Sequence, residues 1–156
     1  MAMEIERKFL VKGDAWRALA HGTQYRQGYL NSTKARTVRI RTIDDKAFLT
    51  IKGPSSGISR MEYEYEIPYD DAVVMLEQLA EQPIIEKRRY KIAHGSFVWE
   101  VDEFLGANLG LIVTEIELPS EDACFDKPEW VGEEVSDDPR YFNSNLVKMP
   151  FTTWTD

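Results

Sequence analysis

Apolar and polar residues alternate with period two along most of the chain. The runs 3–11 "MEIERKFLV", 24–31 "QYRQGYLN", 36–43 "RTVRIRTI", 46–52 "KAFLTIK", 58–67 "ISRMEYEYEI", 84–92 "IIEKRRYKI", 96–104 "SFVWEVDEF" and 111–118 "LIVTEIEL" predict eight β-strands. Turn chemistry separates them: Asp44-Asp45, "GPSSG" at 53–57, His94-Gly95 and "GANLG" at 106–110. Several links are of hairpin length, so the sheet is expected to be mainly antiparallel. A helical period replaces the strand period at 70–81 "DDAVVMLEQLAE", where Val73, Leu76 and Ala80 share a face behind aspartates suited to an N-cap. Shorter helical patterns lie at 14–20, 120–126 and 140–147. No repeat or linker interrupts the pattern, and 1–156 reads as one domain.

The polar faces are unusually ionic. On the first strand Glu4, Glu6 and Lys8 share one side; Arg39 with Arg41, and Lys52 beside Thr50, do the same on theirs. Glu62, Glu64 and Glu66 form a third such row, Lys87, Arg89 and Lys91 a fourth, Glu100 with Asp102 a fifth, and Glu115 with Glu117 a sixth. These sides could be the wet face of an ordinary half-buried sheet. Alternatively, eight strands close into a barrel lined by the charges, with the apolar sides outward under helices. Signs cluster by strand, and like charges recur at i, i+2, about 7 Å apart by the strand rise. That spacing becomes favourable only around something polyvalent: a divalent cation for the acids, a phosphate chain for the bases.

Composition narrows the partners. A chain of 156 residues buries roughly 70% of its unfolded surface without staples. Its single cysteine, Cys124, cannot pair internally, and His21 and His94 offer no zinc spacing, so a reduced, cytoplasmic setting is expected. A net charge of −8 argues against nucleic acid and against an anionic membrane surface. No apolar run approaches a membrane span, and nothing resembles a signal peptide. Cys124, in "DACFD", reads as a small packed hydrophobe, and Trp16, Trp99, Trp130 and Trp154 read as packing residues. "GPSSG" lacks the lysine of a P-loop and reads as a hairpin loop.

"EIERKFL" carries the Glu-x-Glu-x-Lys signature. In order after it come "RQGYL" at 26–30, "VRIR" at 38–41, "LTIK" at 49–52, "SRMEYEYEI" at 59–67, "EKRRY" at 86–90, "WEVDEF" at 99–104, "TEIELPSED" at 114–122 and "WVGEEVSDDPRYFNSNL" at 130–146. With this order and spacing, nearly the whole chain resembles the small bacterial members of the triphosphate tunnel metalloenzymes, the CYTH family. The resemblance implies an α+β fold, mainly antiparallel: an eight-stranded closed β-barrel with charged faces inward, helices outside and a C-terminal plug helix over 140–147, for which Tyr29 and Lys87 are candidate contacts. It implies a soluble enzyme that uses Mg²⁺ or Mn²⁺ to hydrolyse the terminal phosphoanhydride of a triphosphate, most simply inorganic tripolyphosphate, and it leaves room for a homodimer.

The same resemblance makes Glu4, Glu6, Glu115 and Glu117 metal ligands, with Glu64 and Asp102 as further members of that set, and Glu62 and Glu100 completing the acidic wall. Lys8, Arg39, Arg41, Lys52, Lys87 and Arg89 become phosphate grips, Arg60 closes one mouth, and Lys87, Glu115 and Glu117 are the expected catalytic groups. A class IV adenylate cyclase and a thiamine triphosphatase are catalytic alternatives on the same tunnel; a polyphosphate-binding module and an apolar-ligand carrier are non-catalytic ones.

Overall fold

The computed structural model describes residues 3–154. All eight expected strands form: β1 (Met3–Val11), β2 (Gly22–Thr33), β3 (Arg36–Ile43), β4 (Lys46–Lys52), β5 (Ser59–Ile67), β6 (Ile85–His94), β7 (Phe97–Leu105) and β8 (Ile112–Glu117). A ninth, β9 (Val131–Glu134), was not legible as an alternating run. The order is β5-β4-β3-β2-β6-β7-β8-β1-β9, every pairing is antiparallel, and a further pairing of β5 with β1 closes the first eight into a ring. That closing contact is short: Met3, Glu4 and Ile5 meet Met61, Arg60 and Ser59. β9 extends the wall beyond it along the end of β1, secured by Arg7, whose guanidinium forks onto both oxygens of Glu134 at 2.9 and 2.6 Å.

Burial decides which faces look inward. Lys87 and Asp102 are 0% exposed, and Arg39, Arg89, Glu4 and Glu115 are all buried. The charged faces therefore line the ring, and the apolar faces pack against covers outside it. Phe9, Ile92, Trp99 and Ile116 lie beneath Trp16, Trp130 and Phe125, with Phe9, Trp99 and Phe125 meeting edge to face. On another side, helix α1 (Tyr69–Gln78) sets Ala72 and Leu76 against Ile40 and Ala47. Burying Leu76 and Ile40 stabilises by about 1.5–3 kcal/mol each. Gly28 makes the close approach possible, since a Cβ there would stand 2.8 Å from that of Ala80 and 3.0 Å from Leu76 Cδ2.

The third apolar cluster fills one end of the ring itself. Ile85, Phe104 and Val113 lie two residues beyond Lys87, Asp102 and Glu115 on the same faces, and Tyr29 joins them. Leu146 and Val147 of helix α2 (Asn143–Lys148) pack onto this group, with Tyr141, Phe151 and Trp154 around them. A plug over 140–147 was expected; it is built as a 3-10 turn, Pro139–Tyr141, followed by α2. It meets Tyr29 as expected, whereas Lys87 turns to Asp102 instead. The tail after Pro150 caps the plug, with Phe151 N–H donating to Asn108 Oδ1 at 2.7 Å.

Three expectations need correction. The 120–126 segment forms a turn and irregular chain rather than a helix, and Cys124 is exposed rather than packed. The 14–20 pattern shortens to one 3-10 turn, Ala15–Ala18, which carries Trp16 into the core. Among the described residues no helix is long and apolar enough to cross a membrane.

Candidate active site

Ring closure brings the ionic rows face to face around a cavity of about 190 Å³. β1 supplies Glu4 and Glu6, β3 Arg39 and Arg41, β4 Lys52, and β5 Glu62 and Glu64. Opposite stand Arg89 of β6, Glu100 of β7 and Glu115 and Glu117 of β8. An adjoining cavity of about 130 Å³ shares Glu4, Glu6, Arg39 and Lys52 and adds Lys8, Arg60 and Ser136. Most site residues expected from the sequence thus converge. Lys87 and Asp102 line neither space; they are buried beneath Arg89, toward the apolar end.

The bases divide into two groups. One group is held by carboxylates. Lys52 Nζ lies 2.9 Å from Glu4 and 3.3 Å from Glu62. Asp102 takes Arg89 Nε and Nη2 at 2.7 and 2.8 Å and Lys87 Nζ at 2.7 Å, and Arg89 also reaches Glu100 at 3.3 Å. Lys8 Nζ donates to the Tyr141 carbonyl at 2.8 Å and stands 3.8 Å from Glu115, which ties the C-terminal segment to the site.

Arg39 and Arg41 form the other group, with neutral partners. Arg39 Nη2 donates to Thr50 Oγ1 at 3.2 Å and Arg41 Nε to Gln27 Oε1 at 3.3 Å; among the described residues neither has a carboxylate at ion-pair distance. Arg60, expected at a mouth of the tunnel, donates to the Gly53 carbonyl at 2.8 Å and to Thr37 Oγ1 at 3.1 Å, and so clamps the ends of β4 and β3 to β5.

Burial and neighbours set the protonation of these groups. Burial lowers the Arg41 guanidinium to about 10, with Arg39 and Arg89 adding repulsion. Burial draws the Lys87 ammonium down to about 7 against the pull of Asp102, because Arg89 and Arg41 stand nearby. Asp102 is lowered despite its burial, since Arg89 and Lys87 both favour its charge. Glu6 is pushed well above the carboxylate range by burial and by Glu115 and Glu4. Glu115, though buried, is held well below it by Lys8 and Arg89.

These carboxylates fit a hard divalent cation. Glu4, Glu6, Glu115 and Glu117 line one cavity from the neighbouring strands β1 and β8, and the raised pKa of Glu6 beside Glu115 and Glu4 reports negative charge that a cation would offset. Among the described residues no three acidic or imidazole side chains form a ready chelate. An all-oxygen donor set of this kind suits a hard divalent cation whose remaining ligands come from phosphate oxygens and water.

Three participants escaped the sequence reading: Gln27, Tyr25 and Asn143. Tyr25 lies under the Arg41 and Arg89 guanidiniums at 5.3 and 5.0 Å, and Asn143 lines both cavities. The signal for the first two was present, since Tyr25, Gln27 and Tyr29 alternate along β2, the strand without an ionic face.

Known proteins resemble this chain in sequence and fold. The CYTH domain model matches residues 2–145. The chain is 57% identical over 156 residues to a protein of Acetivibrio thermocellus named inorganic triphosphatase, with 100% of each chain covered. It is 40% identical over 149 residues to the inorganic triphosphatase of Nitrosomonas europaea, covering 92% of this chain and 96% of that one. A crystal structure of an inorganic triphosphatase superposes with a TM-score of 0.63 at 36% identity, over 92% of this chain and 96% of that one. A candidate adenylate cyclase of Bacillus halodurans, 19% identical with a TM-score of 0.62 over 78% of this chain and 84% of its own, shares the fold. The family model over residues 2–145 and two relatives 57% and 40% identical over nearly the whole chain make this chain a member of the CYTH-domain family.

Proposed function

We propose that this chain is an inorganic triphosphatase, hydrolysing the terminal phosphoanhydride of tripolyphosphate with Mg²⁺ or Mn²⁺ and working as one tunnel domain. The observation that carries this reading is the pairing of two uncompensated guanidiniums, Arg39 and Arg41, with facing carboxylates across one small, partly enclosed cavity. Phosphoryl transfer needs positioning and charge neutralisation more than covalent chemistry, and this cavity offers both. Its apolar end favours a short linear anion over one that must thread through.

Arg39, Arg41 and Arg89 bind phosphate oxygens through planar forks, while Lys52 and Lys8 act as point charges. Lys87 lies beneath Arg89 on the same face, bound to Asp102, and adds its charge to the apolar end of the site from behind Arg89; Nζ can hold or release its proton near neutral pH. Asp102, whose oxygens are taken by Arg89 and Lys87, orients those bases rather than a metal. Glu4, Glu6, Glu115 and Glu117 would hold the cation, with Glu64 at the rim of the cavity. A bound divalent cation neutralises phosphate charge and lowers the pKa of bound water. Glu115, kept ionised by Lys8 and Arg89, and the neighbouring Glu117 orient the attacking water.

The test is a turnover panel over tripolyphosphate, thiamine triphosphate and ATP with Mg²⁺, Mn²⁺ or a chelator, assaying both phosphate and cyclic AMP. Metal-dependent phosphate release from tripolyphosphate is expected. Cyclic AMP from ATP as the main product would replace the reading with a cyclase.

A further inference from the structure

Among the described residues, every base that lines the two cavities except two leans on a carboxylate or on the backbone. Arg39 and Arg41 are held by the uncharged oxygens of Thr50 and Gln27, and both of those residues are 0% exposed. Arg41 Nε can only donate, so the Gln27 amide must present Oε1 to it, and this leaves Nε2 buried with no partner. Arg39 Nε is likewise buried without a partner. A protein selected only for the stability of its empty tunnel would place glutamate at position 27, completing an ion pair at the same volume. The unpaired groups mark a wall arranged for an anion that arrives later.

We infer that Gln27 and Thr50 are positioning residues that aim Arg41 and Arg39 at the substrate through neutral acceptors, leaving the full charge of both guanidiniums available to phosphate. The inference rests on the triphosphatase reading and deepens it. A carboxylate behind Arg41 would compete with phosphate for the same fork, because charge-assisted bonds are about twice as strong as neutral ones. The lowering of Arg41 to about 10 agrees with a buried cation that has no carboxylate at ion-pair distance, Glu64 across the cavity offsetting only part of the effect of burial and of Arg39 and Arg89.

Gln27→Glu separates this role from simple packing, since it keeps shape and acceptor and adds only charge. The ligand-free protein should melt at a higher temperature while KM for tripolyphosphate rises about tenfold or more, with a smaller fall in kcat. Gln27→Met, neutral but without the acceptor, should melt lower than the Glu variant yet bind tripolyphosphate more tightly than it does. Thr50→Val, of equal volume, should raise KM by releasing Arg39 even if the position-27 variants fold poorly. A packing role predicts that activity follows melting temperature across the three. That correlation, or KM within about twofold of wild type for Gln27→Glu and Thr50→Val, overturns the inference. Wild-type protein that neither binds nor hydrolyses tripolyphosphate overturns the functional reading and this inference with it; wild-type turnover with unaffected variants overturns this inference alone.

Discussion

Lys87 shows how far a side chain's chemistry depends on where the chain carries it. Its place on an ionic face of β6 follows from alternation; its complete burial does not. With its pKa drawn down to about 7, the folded chain has released a proton that the unfolded chain keeps up to the ordinary lysine value. In that window the unfolded state binds more protons, so this group makes stability increase with pH. A polyanion arriving nearby reverses the balance. Tripolyphosphate binding at about pH 8 should therefore take up a proton, read as a dependence of calorimetric enthalpy on the ionisation heat of the buffer; the Lys87→Arg variant should lose that component. Lys87→Ala should lower kcat about a hundredfold; it should also lower the melting temperature, since a fully buried side chain is lost beside Asp102, although Asp102 keeps both bonds to Arg89. Near-normal turnover in that variant would place the reacting phosphate elsewhere.

Strands and helices differ in how much of them the chain announces. Alternation over seven or more residues located eight strands, whereas β9, four residues reading "VGEE", has no pattern and exists because β1 offers it an edge. The 120–126 and 143–148 segments are both too short to form helices alone, since nucleation costs more than one turn returns. The second becomes α2 because Leu146 and Val147 bury themselves in the end of the ring; the first has no such anchor. Leu146→Ala should accordingly destabilise by about 2–5 kcal/mol in urea unfolding. Gly28 occupies a strand interior where glycine is unfavourable, and the reason is α1 directly above it. Gly28→Ala should cost about 1–3 kcal/mol by forcing Leu76 and Ala80 outward, and an unchanged denaturation midpoint would show that α1 yields freely.

The molecule as a whole inverts the usual arrangement of a small domain. Its apolar packing forms three separate clusters outside and at one end of a ring whose centre is ionic. Repulsion among Arg39, Arg41 and Arg89 remains in the empty tunnel, so an anion that binds there should stabilise the fold. Tripolyphosphate at about a hundred times its Kd should raise the melting temperature by about 5–10 °C. No shift at millimolar concentration would count decisively against the tunnel as the binding site.

The amino-acid order alone determined the strands, their two-sided character and the rows of like charge, because those follow from a period of two and from residue type. It left undecided which side of each strand meets water, since alternation is symmetric between inside and outside; resemblance supplied that orientation as an expectation. Only closure of β5 onto β1 made the ionic side an interior, while the register of neighbouring strands determined which bases lean on acids and which meet neutral oxygens.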